Sequence, residues 1–285
     1  MTVEELMGDW QEIEPSEEAV VVTEPDGSVA AYADVLNRSY ISVSVYGYVH
    51  PEHRGRGVGS YLVRWGEEWT RDRMDRAPED ARVVVQHYVN TLNESAQRLL
   101  QASGYAAVRG YIRMAIELEQ APTPPEWPEG IEVRGFVPER DEGAAYEAVE
   151  DAFRDIWGRP RGTFERFLRF PGQESFDRGL WFLAEDGGEI SGVCLCKTIA
   201  GRGEVDVMAV RYPWRNRGLG LALLRHAFGE FYRRGVREVG LSVDAESTTG
   251  APRLYGRAGM RVAESYTLYQ KELRPGRDVS VADGA

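Results

Sequence analysis

One loop is written twice in this chain. Residues 49–59 read VHPEHRGRGVG and residues 210–220 read VRYPWRNRGLG. Without gaps, Val49 aligns with Val210, Arg54 with Arg215, Gly57 with Gly218 and Gly59 with Gly220, a constant offset of 161. Further on, AQRLLQASGY at 96–105 matches APRLYGRAGM at 251–260 with an offset of 155. The first copy therefore carries extra residues between the blocks, and TRDRMDRAPEDA at 70–81 is where they fall. Two blocks repeated in the same order mark a duplicated unit, and with only two copies this means tandem domains, not a solenoid. A chain of 285 residues has room for two cores.

The prolines of EQAPTPPEWPEG, 119–130, cannot continue a helix or a central strand and favour an extended connector. The expected organisation is an N-terminal domain at 1–118, this linker at 119–130, a C-terminal domain at 131–275 and a tail at 276–285. The unit is mixed α/β. In the second copy IEVRGF is strand-like and 143–153 helix-like, and WFLAE and ISGVCLCKTI form a hairpin around Asp186-Gly187-Gly188 before the strand EVDVMAV. After the loops, Leu221, Leu224, Phe228 and Tyr232, and likewise Val58, Leu62, Trp65 and Trp69, mark one face of a helix. REVGLSVD and RVVVQHYV follow as strands, and each half closes with a helix and a final strand. The first copy has too little chain ahead of its loop for a full unit. It lacks an opening strand and helix, either truly or because the recorded start is internal.

No apolar stretch approaches the ~18 residues of a membrane helix. MTVEELMGDW has neither the basic start nor the apolar block of a secretory leader, which predicts a cytoplasmic protein. A net charge of −12 argues against a broad nucleic-acid face and favours a cationic small molecule or peptide. Cys194 and Cys196, two apart in a strand, read as core residues, and the four histidines have no metal-like spacing, so no metal is expected.

A strand feeding a glycine-rich turn that opens a helix suits an anion, because the first helical N–H groups lack partners and the dipole is positive there. Gly218 and Gly220 permit close backbone approach, and Arg215 and Arg217 add positive charge. The dinucleotide pattern would need a small residue at Leu62 or Leu223, and the nucleoside-triphosphate loop needs a Gly-Lys-Ser/Thr that is absent. What remains is R-x-x-G-x-G, at Arg54, Gly57 and Gly59 and again at Arg215, Gly218 and Gly220.

With that motif between strand and helix, both halves resemble the GCN5-related N-acetyltransferases, the GNAT superfamily. The resemblance covers nearly all of the second half and most of the first. It implies two tandem GNAT-like domains, each a mixed, mostly antiparallel sheet flanked by helices. It also implies that acetyl-CoA is the donor, its pyrophosphate on the loop and its pantetheine arm on the preceding strand. Carried over, the cofactor-binding positions are Met208, Ala209, Val210, Arg215, Asn216, Arg217, Gly218, Leu219, Gly220 and Leu221. In the first copy they are Val49, Arg54, Gly55, Arg56, Gly57, Val58 and Gly59.

Acetyl transfer to an amine needs a base for an ammonium of pKa roughly 10 and an acid near a thiolate whose thiol has a pKa of about 8.5. Glu204 and Asp206, two apart in an otherwise apolar strand, face one side of the sheet. Either they lie on a solvated edge or in an ion pair with an arginine, or one of them is the base. The resemblance selects Glu204, because a tandem type within the family takes its base from the Glu of a strand reading GEV followed by apolar residues. RLYGRAGM likewise resembles the family's L-Y-x-x-x-G-F/M element, whose tyrosine protonates the thiolate, here Tyr255. At the aligned positions the first copy has Val43, Val45 and Leu100, so it is expected to be catalytically silent.

AFRDIWGRPRGTFERFLRF is where the resemblance places acceptor-binding helices. Trp157, Phe164, Phe167 and Trp181 are pocket candidates against the alternative of ordinary core, and Arg159, Arg161 and Arg166 are a solvated face or the partners of a carboxylated acceptor. The acceptor is expected to be the primary amine of a small molecule, reached by direct transfer in a ternary complex. A non-catalytic acetyl-CoA sensor and a protein acetyltransferase are the alternatives.

Overall fold

The computed structural model describes residues 13–38, 40–154, 156–159, 161–168 and 176–278, with Arg38 and Arg166 described by backbone only. The side chain of Arg166 and most of the expected tail thus lie outside the described residues. The chain forms two compact units.

The C-terminal unit takes in residues 112–264. Its sheet order is β5-β10-β9-β8-β7-β6, from β5 (Ala106–Glu117), β6 (Ile131–Gly135), β7 (Trp181–Asp186), β8 (Glu189–Ile199), β9 (Arg202–Val210) and β10 (Glu238–Asp244). Of β5, the part from Ile112 on belongs here. One face packs on the helix that follows the loop, Leu219–Arg233, through Leu223, Leu224, Phe228 and Phe231. The other packs on the helix Glu142–Phe153, through Ala145, Ala148, Val149 and Ala152. Val205 lies in the first core and Val207 and Ala209 in the second, because a bulge between Val205 and Val207 reverses the alternation of β9.

The N-terminal unit takes in described residues 13–111 and 265–278. β1 (Ala19–Thr23), β2 (Val29–Arg38), β3 (Ser42–Val49) and β4 (Val83–Asn90) lie side by side in that order. Their core, Ala33, Val35, Val43, Val45 and Val85, packs on Leu62 and Trp69 of the helix Val58–Arg71 and on Leu100 of the helix Glu94–Ala102. Among the described residues, three strands precede this unit's loop where the C-terminal unit has four, with no helix between its first two strands. In chain order we call the helices α1 (Pro15–Glu18), α2 (Val58–Arg71), α3 (Glu94–Ala102), α4 (Glu142–Phe153), α5 (Phe164–Phe167), α6 (Leu219–Arg233) and α7 (Ala251–Arg257).

The closing strands differ from the expectation of one inside each half. β11 (Arg261–Arg274) belongs to the N-terminal unit from Ser265 on, where it pairs antiparallel with β4 from Tyr266↔Asn90 to Arg274↔Val83. β5 passes the other way, and its residues from Ile112 stand beside β10. The border between units therefore falls within β5, ahead of the proline-rich stretch. The extra residues of the first copy form the long connection from α2 to β4, with a short 3₁₀ turn at Met74–Arg76.

Candidate active site

In the C-terminal unit, β9 and β10 run parallel but share only Val239↔Gly203 and Gly240↔Glu204. Beyond Glu204 they part, although β9 continues to Val210 and β10 to Asp244. A V opens there, and the backbone groups of Met208 and Val210, which would have met β10, line it without a ladder partner from that strand, whereas those of Ala209, like Arg211 N–H, face β8. Register confirms the duplication. The first copy's parallel pair has Ser42↔Val84 and Val43↔Val85 at the corresponding positions, then one more pair, Ser44↔Gln86, before it too opens.

Past the V, the two loops share one backbone shape. Asn216 and Gly218 are left-handed, with φ of 62° and 89°, and their counterparts Gly55 and Gly57 have 75° and 83°. Asparagine tolerates that conformation and a β-branched residue does not. The turn aims the N–H groups of Gly218, Leu219, Gly220 and Leu221 outward at the start of α6, a concavity for an anion. The same holds for Gly57, Val58 and Gly59 at α2.

Three expected roles look different in space. Arg215 turns inward, donating from Nε to the Val210 carbonyl at 3.1 Å and from Nη2 to the Ala152 carbonyl at 2.7 Å. It ties the loop to the end of α4, while Asn216 and Arg217 remain exposed. Gly220 serves helix packing: a Cβ there would lie 3.1 Å from Leu254 Cδ2, and one at Gly59 would lie 3.1 Å from Leu99 Cδ2. In the first copy Arg54 is exposed and Arg56 pairs with Glu24 at 3.3 Å.

Chemistry-bearing side chains lie on both faces of the sheet that opens into the V. Glu204, between Gly203 and Val205, points to the α4 side. Its carboxylate is gripped by Arg113 of β5, Nη1 to Oε1 at 3.0 Å and Nη2 to Oε2 at 2.8 Å. Of the two readings open for the acidic pair, the ion pair with an arginine is thus present. Each carboxylate oxygen keeps a second lone pair. Asp206 pairs with Lys197 at 3.0 Å. It sits at a bulge, because Leu195 faces Val207 while Cys196 faces Val205. Such an extra residue re-aims side chains next to functional sites. The first copy's β3 runs past β2 here with no register shift.

Tyr255, on α7, lies on the α6 side in contact with the core that holds Cys194, Leu219 and Leu241. It is 7% exposed. Burial pushes its phenol up to about 12, with a lesser contribution from Cys194, so it holds its proton at neutral pH. Glu204 and Tyr255 therefore lie on opposite faces of the sheet. Aligned with them in sequence are Val43 and Leu100, and Val45 with Asp206; all three are buried in the apolar core of the N-terminal unit against α2 and α3, so the two valines face the side that Glu204 and Asp206 turn away from. At the last pair before that unit's V opens, Gln86 Nε2 donates to Ser44 Oγ at 2.8 Å.

Around the acceptor side, Phe167 and Trp181 are core and Phe164 packs against them, whereas Trp157 is exposed. Arg159 grips the buried Glu150 at 3.0 and 2.7 Å, and Arg161 pairs with the exposed Glu147 at 2.8 Å. Cys194 and Cys196 are buried with sulfurs 3.5 Å apart, and burial raises the Cys196 thiol well above its usual value. Sequence reasoning missed Arg113 and Gly240. A Cβ at Gly240 would sit 2.4 Å from Arg113 Nη2 and 3.2 Å from Glu204 Oε2, so the glycine makes room for the pair.

Comparison with known proteins follows the same division. The acetyltransferase (GNAT) family model matches residues 144–260, and a second acetyltransferase (GNAT) domain model matches 16–107. A mycothiol acetyltransferase of Streptomyces bingchenggensis is 31% identical over 264 residues, covering 89% of this chain and 80% of that protein. The chain belongs to the GNAT acetyltransferase family. The GNAT from Sphaerobacter thermophilus, a solved structure, is 55% identical with a TM-score of 0.87, covering 99% of this chain and 89% of that one. A tandem GNAT protein from the clavulanic acid biosynthesis pathway shares the fold at 15% identity and a TM-score of 0.72, covering 97% and 90%. The chain is thus a tandem GNAT of the acetyl-CoA-dependent N-acetyltransferase class, resembling mycothiol synthase. No helix among the described residues is long and apolar enough to cross a membrane.

Proposed function

We propose that the C-terminal unit transfers the acetyl group of acetyl-CoA to the primary amine of a small molecule. The observation that carries this is Glu204 and Tyr255 on opposite faces of the sheet that opens into the V and feeds the glycine loop, while the other copy has valine and leucine at the aligned positions. The backbone of Met208 and Val210 orients the pantetheine arm, and the N–H groups from Gly218 to Leu221 receive the pyrophosphate. Glu204 takes a proton from the incoming ammonium, through water held on its remaining lone pairs. As the amine nitrogen bonds to the acetyl carbon and the carbon–sulfur bond breaks, Tyr255 donates a hydrogen bond to the departing sulfur, and the second proton shed by the nitrogen ends on that sulfur as the free thiol. Transfer is direct, since both thiols are sealed in the core and neither can take the acetyl group.

The N-terminal copy contributes no base or acid. The test is release of free thiol from acetyl-CoA by the full chain with a panel of amines, beside calorimetry with acetyl-CoA alone. Turnover that collapses in Glu204→Gln and in Tyr255→Phe is the expected result. Binding without thiol release from any amine would make the protein a cofactor sensor instead.

A further inference from the structure

Four charged side chains, two of each sign, stand on one face of the sheet at the apex of the V. Arg113 grips Glu204 and Lys197 pairs with Asp206, while Lys197 is also the cross-strand partner of Glu204. All four are 19–26% exposed along their side chains, so a ligand can reach them. They come from three strands, β5, β8 and β9, and share the α4 side. Ile112 and Met114 on either side of Arg113, and Cys196 next to Lys197, belong to the opposite core.

The fold does not need these charges. On the corresponding face of the N-terminal unit's V, opposite to Val43, Val45 and Val85 in its core, stand the buried neutral Ser42, Ser44 and Gln86, and that V forms without such charges. Partly buried ion pairs are a weak source of stability, because desolvation offsets much of their attraction. Keeping two of them here, with a glycine at 240 to seat one, points to a ligand that uses them.

We propose that the acceptor is a zwitterion, an amine that also carries a carboxylate, with its carboxylate on Arg113 and its ammonium between Glu204 and Asp206. This rests on the reading of the site as an acetyltransfer centre. The quartet is neutral as a whole. A simple monoamine would add one uncompensated positive charge and an anion one negative, whereas a zwitterion gives each group an opposite partner and leaves the sum unchanged. Arg113 suits the carboxylate because its planar fork already presents two parallel N–H groups to one, at Glu204. Accepting the ligand is then an exchange: the acceptor carboxylate competes with Glu204 for the guanidinium, and the carboxylate so released is the one facing the ammonium.

The test uses the full chain with pairs of acceptors that differ only at the carboxylate: α-amino acids, β-alanine and γ-aminobutyrate, each beside its carboxamide. Thiol release gives kcat/KM for each member, and calorimetry on the protein saturated with coenzyme A gives binding apart from turnover. We expect at least one acid to exceed its amide by tenfold or more in kcat/KM. The amide's less basic amine works against that outcome, which makes it the stricter comparison. Arg113→Gln should lower both rates and bring the ratio to within twofold of one. Amides used as well as acids by the wild-type protein would overturn the proposal without any variant, as would a ratio that survives Arg113→Gln. An acid that binds tenfold more tightly than its amide yet releases no thiol would leave the proposal standing and refute the acetyltransfer reading. Neither selective binding nor thiol release with any pair would refute both.

Discussion

Replacing Tyr255 by phenylalanine removes one oxygen from a ring that is 7% exposed, and the structure sets the size of the effect. Burial raises the phenol from its ordinary value of about 10 to about 12, which makes the phenolate about 3 kcal/mol less favourable there than in water. The thiol of coenzyme A, with a pKa of about 8.5, is the stronger acid, so complete proton transfer from Tyr255 to the sulfur is uphill by about 5 kcal/mol. Its contribution is then a hydrogen bond to sulfur that strengthens as negative charge builds up. Losing such a charge-assisted bond costs about 1.5–3 kcal/mol, a fall in kcat of roughly 10- to 150-fold.

Stability should hardly change, because no hydrogen bond to this hydroxyl forms among the described residues and the ring stays in the core. The assay is thiol release at saturating acetyl-CoA and acceptor, with thermal unfolding of both proteins alongside. Alkaline pH supplies a second reading. The folded phenol is raised above its unfolded value, so its contribution is fully present below pH about 10 and is lost as pH climbs through about 12. Wild type should lose up to about 3 kcal/mol across that window from this group, and the phenylalanine variant should lack that part. A variant that folds normally and turns over at the wild-type rate would refute the role of Tyr255. A variant that loses several kcal/mol of stability at neutral pH would refute the account of its hydroxyl.

Glu204→Gln should lower kcat/KM by about 10²- to 10⁴-fold. The deficit should narrow as pH rises towards the acceptor's own pKa, since more amine then arrives deprotonated; a pH–rate profile checks this. Gly240→Ala places a Cβ 2.4 Å from Arg113 Nη2. The arginine's flexible end should swing away while the backbone stays, giving a small fall in Tm and a loss of the acid-over-amide preference in the paired-acceptor assay. Gly218→Ala and Gly57→Ala force alanine to φ of 89° and 83°, and each should cost about 1–2 kcal/mol of stability by thermal unfolding. In steady-state kinetics only the first should raise KM for acetyl-CoA, by tenfold or more.

What the sequence made legible was local and repeated. The loop is specified by residues that the backbone requires, such as Gly57 and Gly218 at left-handed positions, so two copies in one chain acted as an alignment of their own. The difference of six between the offsets of 161 and 155 reappears in the structure as register, in Ser42↔Val84 beside Gly203↔Val239, but the bulge at Asp206 turns Glu204 to the face opposite that of Val43. The packing contacts of Gly59 with Leu99 and of Gly220 with Leu254 obey the two offsets. What was not legible is non-local. Nothing in RVAESYTLYQKELR says that its pairing partner is β4, since alternation fixes which face a strand buries and not which strand it joins.

Arg113 is hidden for that reason. In GYIRMAIE the apolar Ile112, Met114 and Ile116 mark one face and leave the arginine on the other, a pattern indistinguishable from a solvated strand. Its partner lies 91 residues away, beyond a proline-rich stretch that invites a cut between them. Only the crossing of β5 into the C-terminal unit gives Glu204 its guanidinium, so a protein divided at 119–130 would separate the proposed base from the residue that orients it, and would also take β11 from β4. A site read from one copy of a duplicated unit is incomplete whenever the copies lend each other strands.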